Sequence, residues 1–424
     1  MNSKSNKNLI IITEYYPFSA VAEVFLDLEI PYLSKVFNSI VIVPRLLPEE
    51  AERVERQLPA NISVDTSLVG QKIRRSLSEA INIAINAGKS KYLYSEIFRR
   101  PTILQDITSV KKTVCYLYEA LRVRNWILRY IEQNNVDLTK TIFYTYWMDS
   151  ATTGIGMVKH EYNELKLVSR SHGRDLYEER HLPPYIPFRV TTLQQLDHVY
   201  LISEHGKTYI SERYPYFKSK FIASHLGVRA TGFKSEASLD GVLRVVSCSY
   251  TTTVKRIHLI IFGLKELGLS RPELEIEWVH IGHGPLQEKI KNCAASQLPK
   301  NVVSKFLGFM PNSEVLLYYK HNPVDVFINT SASEGIPVSI MEAQSCGIPV
   351  IATAVGGNPE IVLKDVGILI SENPSPKEIA DALKFFVDHP DDARQLRLNS
   401  LINWDNHYNA SKNFTNFVNT LKEV

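Results

Sequence analysis

Asp325-Val-Phe-Ile-Asn-Thr-Ser-Ala-Ser-Glu334-Gly335-Ile336-Pro337-Val338-Ser339-Ile-Met-Glu342-Ala-Gln-Ser-Cys-Gly347-Ile-Pro349-Val-Ile-Ala-Thr353 reads as strand, polar loop, helix, glycine turn and strand. Gly335 permits a close backbone approach, Pro337 suits the first turn of a helix, and Gly347 suits its end before the next strand. Strands joined through a helix belong to a parallel sheet, and the same alternation runs along most of the chain. One series includes Leu9–Thr13, Ile40–Val43, Thr141–Tyr146, Leu167–Ser169 and Val199–Ile202. A second includes Leu243–Ser247, Glu277–Ile281, Val302–Leu307, Val324–Asn329 and Val350–Thr353. Each series is expected to form one Rossmann-like α/β domain. Ala230–Gly241 is small, polar and aperiodic, so it reads as the linker, with domains at 1–232 and 233–402.

A chain of 424 residues has room for two or three domains. Its 44% hydrophobic and 22% charged residues fit an ordinary globular protein, and a net charge of +3 does not imply nucleic acid. Cys115, Cys248, Cys293 and Cys346 show no paired spacing, which suggests neither zinc site nor disulfide framework and fits a cytoplasmic protein. Leu9–Ile12 is too short for a signal-peptide core, and the uncharged stretch Ala343–Pro359 is broken by glycine and proline, so no export signal or spanning helix is expected. Residues 72–132 read as helices, with Val114, Leu117, Leu121, Leu128 and Ile131 at helical spacing. This segment carries 12 Lys and Arg against five acidic residues, a local +7. It reads as a solvated helical face; the alternative is peripheral docking to anionic lipid on the inner face of a membrane.

The loop after Asn329 presents a helix N-terminus at the carboxyl end of a sheet, where free N–H groups and the helix dipole favour phosphate. Glu334 and Glu342 flank that point, Glu342 lying roughly 7 to 8 Å further along the helix axis. A carboxylate beside phosphate repels it unless each acid faces hydroxyl groups to either side, since an ionised carboxylate only accepts. A nucleotide-diphosphate sugar has that layout, with ribose and a second sugar on opposite sides of the phosphates.

Ser333–Thr353 followed by Val355-Gly-Gly-Asn-Pro-Glu360 closely resembles the donor-site signature of family-4 glycosyltransferases, retaining enzymes of the GT-B fold. The resemblance implies two Rossmann-like domains facing a central cleft, with a C-terminal helix, residues 403–424 with Trp404 and Tyr408–Phe417, crossing back to the N-terminal domain. Gly282-His-Gly284-Pro-Leu resembles the family's turn near the nucleotide, and Phe306-Leu-Gly-Phe the strand before the base. Lys255 stands where the family places a lysine on the donor diphosphate. Ser249 and Tyr250 occupy the positions at which many relatives carry Gly-Arg, so either Arg256 or neighbouring backbone supplies the second phosphate clamp or the phosphate site is weaker than in those relatives. Ser169-Arg-Ser-His172-Gly-Arg-Asp-Leu-Tyr resembles the histidine loop that faces the donor sugar. Ser19 and Glu23 sit in the first strand-to-helix loop, where the family has an acceptor loop, although its glycines are missing.

The resemblance therefore implies transfer of a sugar from a nucleotide-diphosphate sugar to a hydroxyl of a glycan or lipid-linked glycan, with retention. Glu334, His172 and Lys255 are the expected catalytic residues. Glu342, Arg256, Gly282, Gly284, Gly335, Ile336, Pro337, Val338 and Ser339 are expected to bind donor. No metal or other cofactor is expected, since no DxD-like pair stands beside a phosphate loop. A nucleotide-sugar epimerase or a non-catalytic sugar-nucleotide binding subunit would use the same donor site. A dinucleotide oxidoreductase is disfavoured, because Gly282-His-Gly-Pro-Leu-Gln287 lacks the third glycine.

Overall fold

The computed structural model describes residues 5–424 apart from 21, 55, 71–82, 84 and 86. The chain divides into two compact units, one of Met1–Ile202, Gly206–Ser224 and Phe414–Val424, the other of Ser203–His205 and His225–Asn413.

The first unit holds a parallel sheet of β1 (Asn8–Thr13), β2 (Ile40–Pro44), β3 (Ile62–Val64), β4 (Thr141–Thr145), β5 (Lys166–Ser171), β6 (His198–Leu201) and β7 (Phe221–Ala223), ordered β3-β2-β1-β4-β5-β6-β7. Successive side chains of β1 point to opposite faces. Leu9 and Ile11 enter a core with Leu26, Ile30 and Leu33 of the helix Val24–Val36, whereas Ile10 and Ile12 enter another with Val123, Ile127 and Tyr130 of the helix Ile107–Gln133. Both faces are thus covered, as a parallel sheet requires. The Asp106 carboxylate caps the long helix by accepting from the backbone N–H groups of Thr108 and Ser109. Phe417, Val418 and Leu421 fill the core around Leu9 and Ile11, and Phe417 lies under the Arg170 guanidinium, 4.1 Å from ring centroid to Cζ.

The second unit holds β8 (Leu243–Cys248), β9 (Ile276–Ile281), β10 (Val302–Gly308), β11 (Val326–Asn329), β12 (Val350–Thr353) and β13 (Gly367–Ile370), all parallel and ordered β10-β9-β8-β11-β12-β13. Its core joins Val245, Trp278 and Ile328 of the sheet to Ile261 and Leu264 of the helix Ile257–Ser270 and Leu383 of the helix Pro376–Asp388.

All ten strands expected from the sequence form, with ends shifted by a residue or two. The three not anticipated, β3, β7 and β13, are edge strands. Pairing on one side only leaves their side chains partly exposed, and each is only three or four residues long, too short a run to stand out. The chain passes between units at Ser224 and His225 rather than near Phe233. His225–Thr231 is already tied to the second unit, where Val228 pairs with Asn409 and Asn413 Nδ2 donates to the Leu226 carbonyl at 2.8 Å. The tail is shared: Trp404 and Tyr408 are buried in the second unit, while residues from Phe414 onward belong to the first.

Of the basic segment, Lys72, Arg74 and Arg75 lie outside the described residues. Some of the others are engaged: Arg122 pairs with Glu119 and donates to the Leu68 carbonyl, Arg124 pairs at the surface with Glu161, and Lys112 donates to the Tyr185 carbonyl. Lys89, Lys91, Arg99, Lys111 and Arg129 stay exposed. Among the described residues no helix is long and apolar enough to cross a membrane.

Candidate functional site

In the second unit the strand order reverses between β8 and β11, and the loops leaving these neighbours part at their carboxyl ends. Ligands of open parallel sheets bind in such a crevice. Lys255 arrives from the turn Thr253–Lys255 after β8, and Glu334 from the loop after β11. Lys255 Nζ donates to Glu334 Oε1 at 2.6 Å, and Asn329 Nδ2 donates to the same oxygen at 3.2 Å. The carboxylate is only 8% exposed, so a nearly buried charge is held by one cation and one amide.

The helix Val338–Ser345 follows, with Pro337 at its N-cap and no side chain capping it. Its first N–H groups, at Val338 and Ser339, stay available for an anion beside Glu334. Ile336 is itself buried, so only its backbone can serve a ligand. The loop is braced from behind: Gly357 N donates to the Gly335 carbonyl at 2.8 Å, and a Cβ on Gly356, whose φ is +52°, would stand 2.1 Å from the Glu334 carbonyl oxygen. Glu342, the fifth residue of the helix, accepts a hydrogen bond from Asn312 Nδ2. Burial pushes its carboxyl up to about 7, with the amide of Asn312 pulling the other way.

One expectation for this unit changes. Arg256 does not stand free to clamp phosphate. It sits in the left-handed region, φ 47°, at the start of the helix Ile257–Ser270, and its guanidinium donates to the carbonyls of Thr330, Ser331 and Glu372 and to Asn373 Oδ1. Arginine geometry suits such convergent carbonyls, and the side chain locks the β11 loop rather than facing a ligand. Close packing requires glycine at Gly282 and Gly284. A Cβ on Gly282 would meet the Ser249 carbonyl oxygen at 1.9 Å, and one on Gly284 the Thr251 carbonyl oxygen at 2.6 Å. These glycines let the loops after β8 and β9 press together.

In the first unit the strand order reverses between β1 and β4. A cavity of about 380 Å³ opens there, walled by Glu14, Arg45, Trp147, Asp149, Arg174 and Ile186 among others. Arg45 pairs with Asp149, and burial holds both Asp149 and Glu14 above the usual carboxylate range, with Arg45 opposing. His172 follows β5 and packs between Tyr146 and Trp147, ring centroids 4.7 and 4.4 Å away. Neither ring nitrogen has a hydrogen-bond partner although the residue is buried, and the nearest charged group is the Asp175 carboxylate, 3.9 Å from Nδ1. Asp175 accepts from the backbone N–H groups of His172 and Met148. Burial works against its charge, yet these bonds and the His172 ring keep it below the usual carboxylate range.

Glu23 differs from the acceptor-side expectation. Its carboxylate accepts from the backbone N–H groups of Glu14, Tyr15 and Tyr16 and from Trp147 Nε1, so it organises the first strand-to-helix loop. Ser19 is buried, and its hydroxyl accepts from Ala22 N at 3.1 Å. Arg45, Trp147, Asp149 and Asn312 were not anticipated. Each stands at the end of a strand or start of a helix, and that position was the only signal. Among the described residues no group of three or more His, Cys, Asp or Glu side chains is arranged to hold a metal ion.

Two parallel sheets with crevices at their reversal points define the molecule as a GT-B α/β protein. The fold agrees over 99% of this chain with the crystal structure of Anabaena Alr3699/HepE in complex with UDP, at a TM-score of 0.63 and 15% identity, covering 100% of that chain. Residues 232–400, most of the second unit, match the family Glycosyl transferases group 1. WcaL of Escherichia coli (strain K12), named for colanic acid biosynthesis, is 29% identical over 178 residues, 40% of this chain and 42% of its own length. The amylovoran biosynthesis glycosyltransferase AmsK of Erwinia amylovora is 29% identical over 158 residues, 35% of this chain and 37% of its own length. The chain thus spans about two fifths of the length of the curated relatives it matches. The resemblance read from residues 333–360 is borne out in both family and fold.

Proposed function

We propose that the protein is a retaining, metal-independent glycosyltransferase that moves a sugar from a nucleotide-diphosphate sugar to a hydroxyl of a glycan or lipid-linked glycan. The observation that carries this is the Lys255–Glu334 pair at the β8/β11 reversal, beside an uncapped helix N-terminus. An anionic diphosphate offers Lys255 a second acceptor next to Glu334, and the N–H groups of Val338 and Ser339 supply further donors. Charge growing on the departing phosphate is then stabilised by groups already in place. Glu334 holds hydroxyls of the transferred sugar, Glu342 those of the ribose, and His172 orients the reacting centre. The acceptor oxygen bonds to the anomeric carbon on the face the diphosphate leaves, the carbon–oxygen bond to phosphate breaks, and the acceptor proton passes to the departing phosphate oxygen. The cavity of the first unit, with its aromatic wall and acids, fits an acceptor sugar. UDP in the HepE structure makes uridine the first base to try.

Saturation-transfer NMR against UDP-, GDP- and ADP-sugars tests the donor half, with one class expected to bind wild type and to lose binding in Glu342→Ala. Product analysis tests the rest: a glycoside of retained configuration is expected, still formed in EDTA. An epimerised free nucleotide sugar would favour an epimerase, and unchanged biological function in Glu334→Gln a binding subunit.

A further inference from the structure

We infer that residues 89–111 form a docking surface for an anionic lipid bilayer. Tyr94 is 63% exposed, Phe98 88%, Leu104 63% and Ile107 80%. Single exposed apolar side chains are ordinary, but four in one short stretch of packed structure mark a contact face. The stretch is anchored from below. On the helix Lys91–Arg99, Glu96 is buried and accepts from Tyr185 Oη at 2.6 Å and Phe188 N at 2.8 Å, so the helix cannot roll its apolar side inward. Tyr94 and Phe98 stand one turn apart on it. The turn Pro101–Gln105 buries Ile103 and leaves Leu104 outside, and Ile107 opens the long helix Ile107–Gln133.

Charge complementarity selects the occupant. Lys89, Lys91, Arg99 and Lys111 of the same stretch are exposed, Lys91 one turn before Tyr94 and Lys111 one turn after Ile107. The two acids of the stretch are committed, Glu96 to Tyr185 and Phe188 and Asp106 to its helix cap. Beside the patch an open cavity of about 430 Å³ is lined by Lys89, Lys91, Arg124 and His160, with Glu161 already paired to Arg124. Exposed apolar side chains interspersed with cations along one stretch, next to a hollow lined by Lys89 and Lys91, match a bilayer interface with negative headgroups. The surface shares no residue with the donor and acceptor assignments and does not depend on them.

Co-sedimentation of the full chain with vesicles tests the inference, using phosphatidylcholine alone or mixed with about one third phosphatidylglycerol. Binding to the mixed vesicles is expected, with little to phosphatidylcholine alone. Phe98→Ser with Ile107→Ser should weaken it by at least about tenfold. Lys91→Glu with Lys111→Glu should weaken it similarly, and high salt should mimic that pair. Unchanged circular dichroism and donor binding in both variants show that folding and the donor site are intact. Absence of wild-type binding to either vesicle, or variants that bind as wild type does, would overturn the inference. So would a dimer that Phe98→Ser with Ile107→Ser dissociates in sedimentation equilibrium without any lipid binding, because the face would then be a self-contact.

Discussion

Glu342 carries the sharpest consequence at the scale of single residues. Its carboxyl rises from 4.5 to about 7 because it is buried, and one amide does not compensate. Between these values the folded chain binds more protons than the unfolded one, so folding loses stability as pH rises through the window. Glu342→Gln should therefore raise stability by up to about 3 kcal/mol at pH 8 and change little below pH 4.5, read by urea unfolding across pH. The same carboxyl must be ionised to accept two hydroxyl donors, so donor affinity should fall by about tenfold from pH 8 to pH 6 in wild type and lose that slope in the variant. On the proposed function, Glu334→Gln should lower kcat by at least about 10²-fold, since it weakens the hold on Lys255. Arg256→Ala should cost about 2–4 kcal/mol in urea, because three backbone carbonyls lose a charged donor.

Elements are placed by loops that press on one another without side chains between them. The turn after β12 supports the donor loop through Gly356 and Gly357, and no Cβ fits at the first without moving the Glu334 carbonyl. Gly356→Ala should thus raise KM for donor by about tenfold or more while leaving the sheet intact by circular dichroism, because about 1 kcal/mol or more of left-handed strain falls on the loop that carries Glu334. Residues 333–360 could be read as a site because donor loop, helix start and bracing turn are close in sequence. Asn312 could not be read this way, since it comes from a different loop and meets Glu342 only after folding. Arg256 misled for the same reason: an arginine beside a phosphate-site lysine looks like a clamp until the carbonyls of residues 330, 331 and 372 converge on it.

For the whole molecule, the C-terminal eleven residues belong to the unit formed by the start of the chain. Phe417, Val418 and Leu421 are each at most 2% exposed in that core, and Phe417 covers Arg170, whose fully buried guanidinium pairs with Glu29 at 2.7 Å. Deleting residues 414–424 should destabilise the first unit by several kcal/mol, about 1.5 to 3 for each of three lost side chains. Hydrogen exchange should then show lost protection in β1, β4 and β5, with β8, β9 and β11 keeping theirs. A uniform loss across both sheets would contradict this assignment of the tail.

By itself the sequence determined two parallel sheets, ten of their strands and the loop-and-helix unit after β11, because burial forces apolar runs and a helix entered through a glycine–proline loop is a local pattern. Tertiary structure alone decided the edge strands β3, β7 and β13, the use of Arg256 and Glu23, the raised carboxyl of Glu342 and the exposure of Phe98 and Ile107. Each of those depends on which distant groups cover a side chain or meet it, and spacing along a chain does not carry that information.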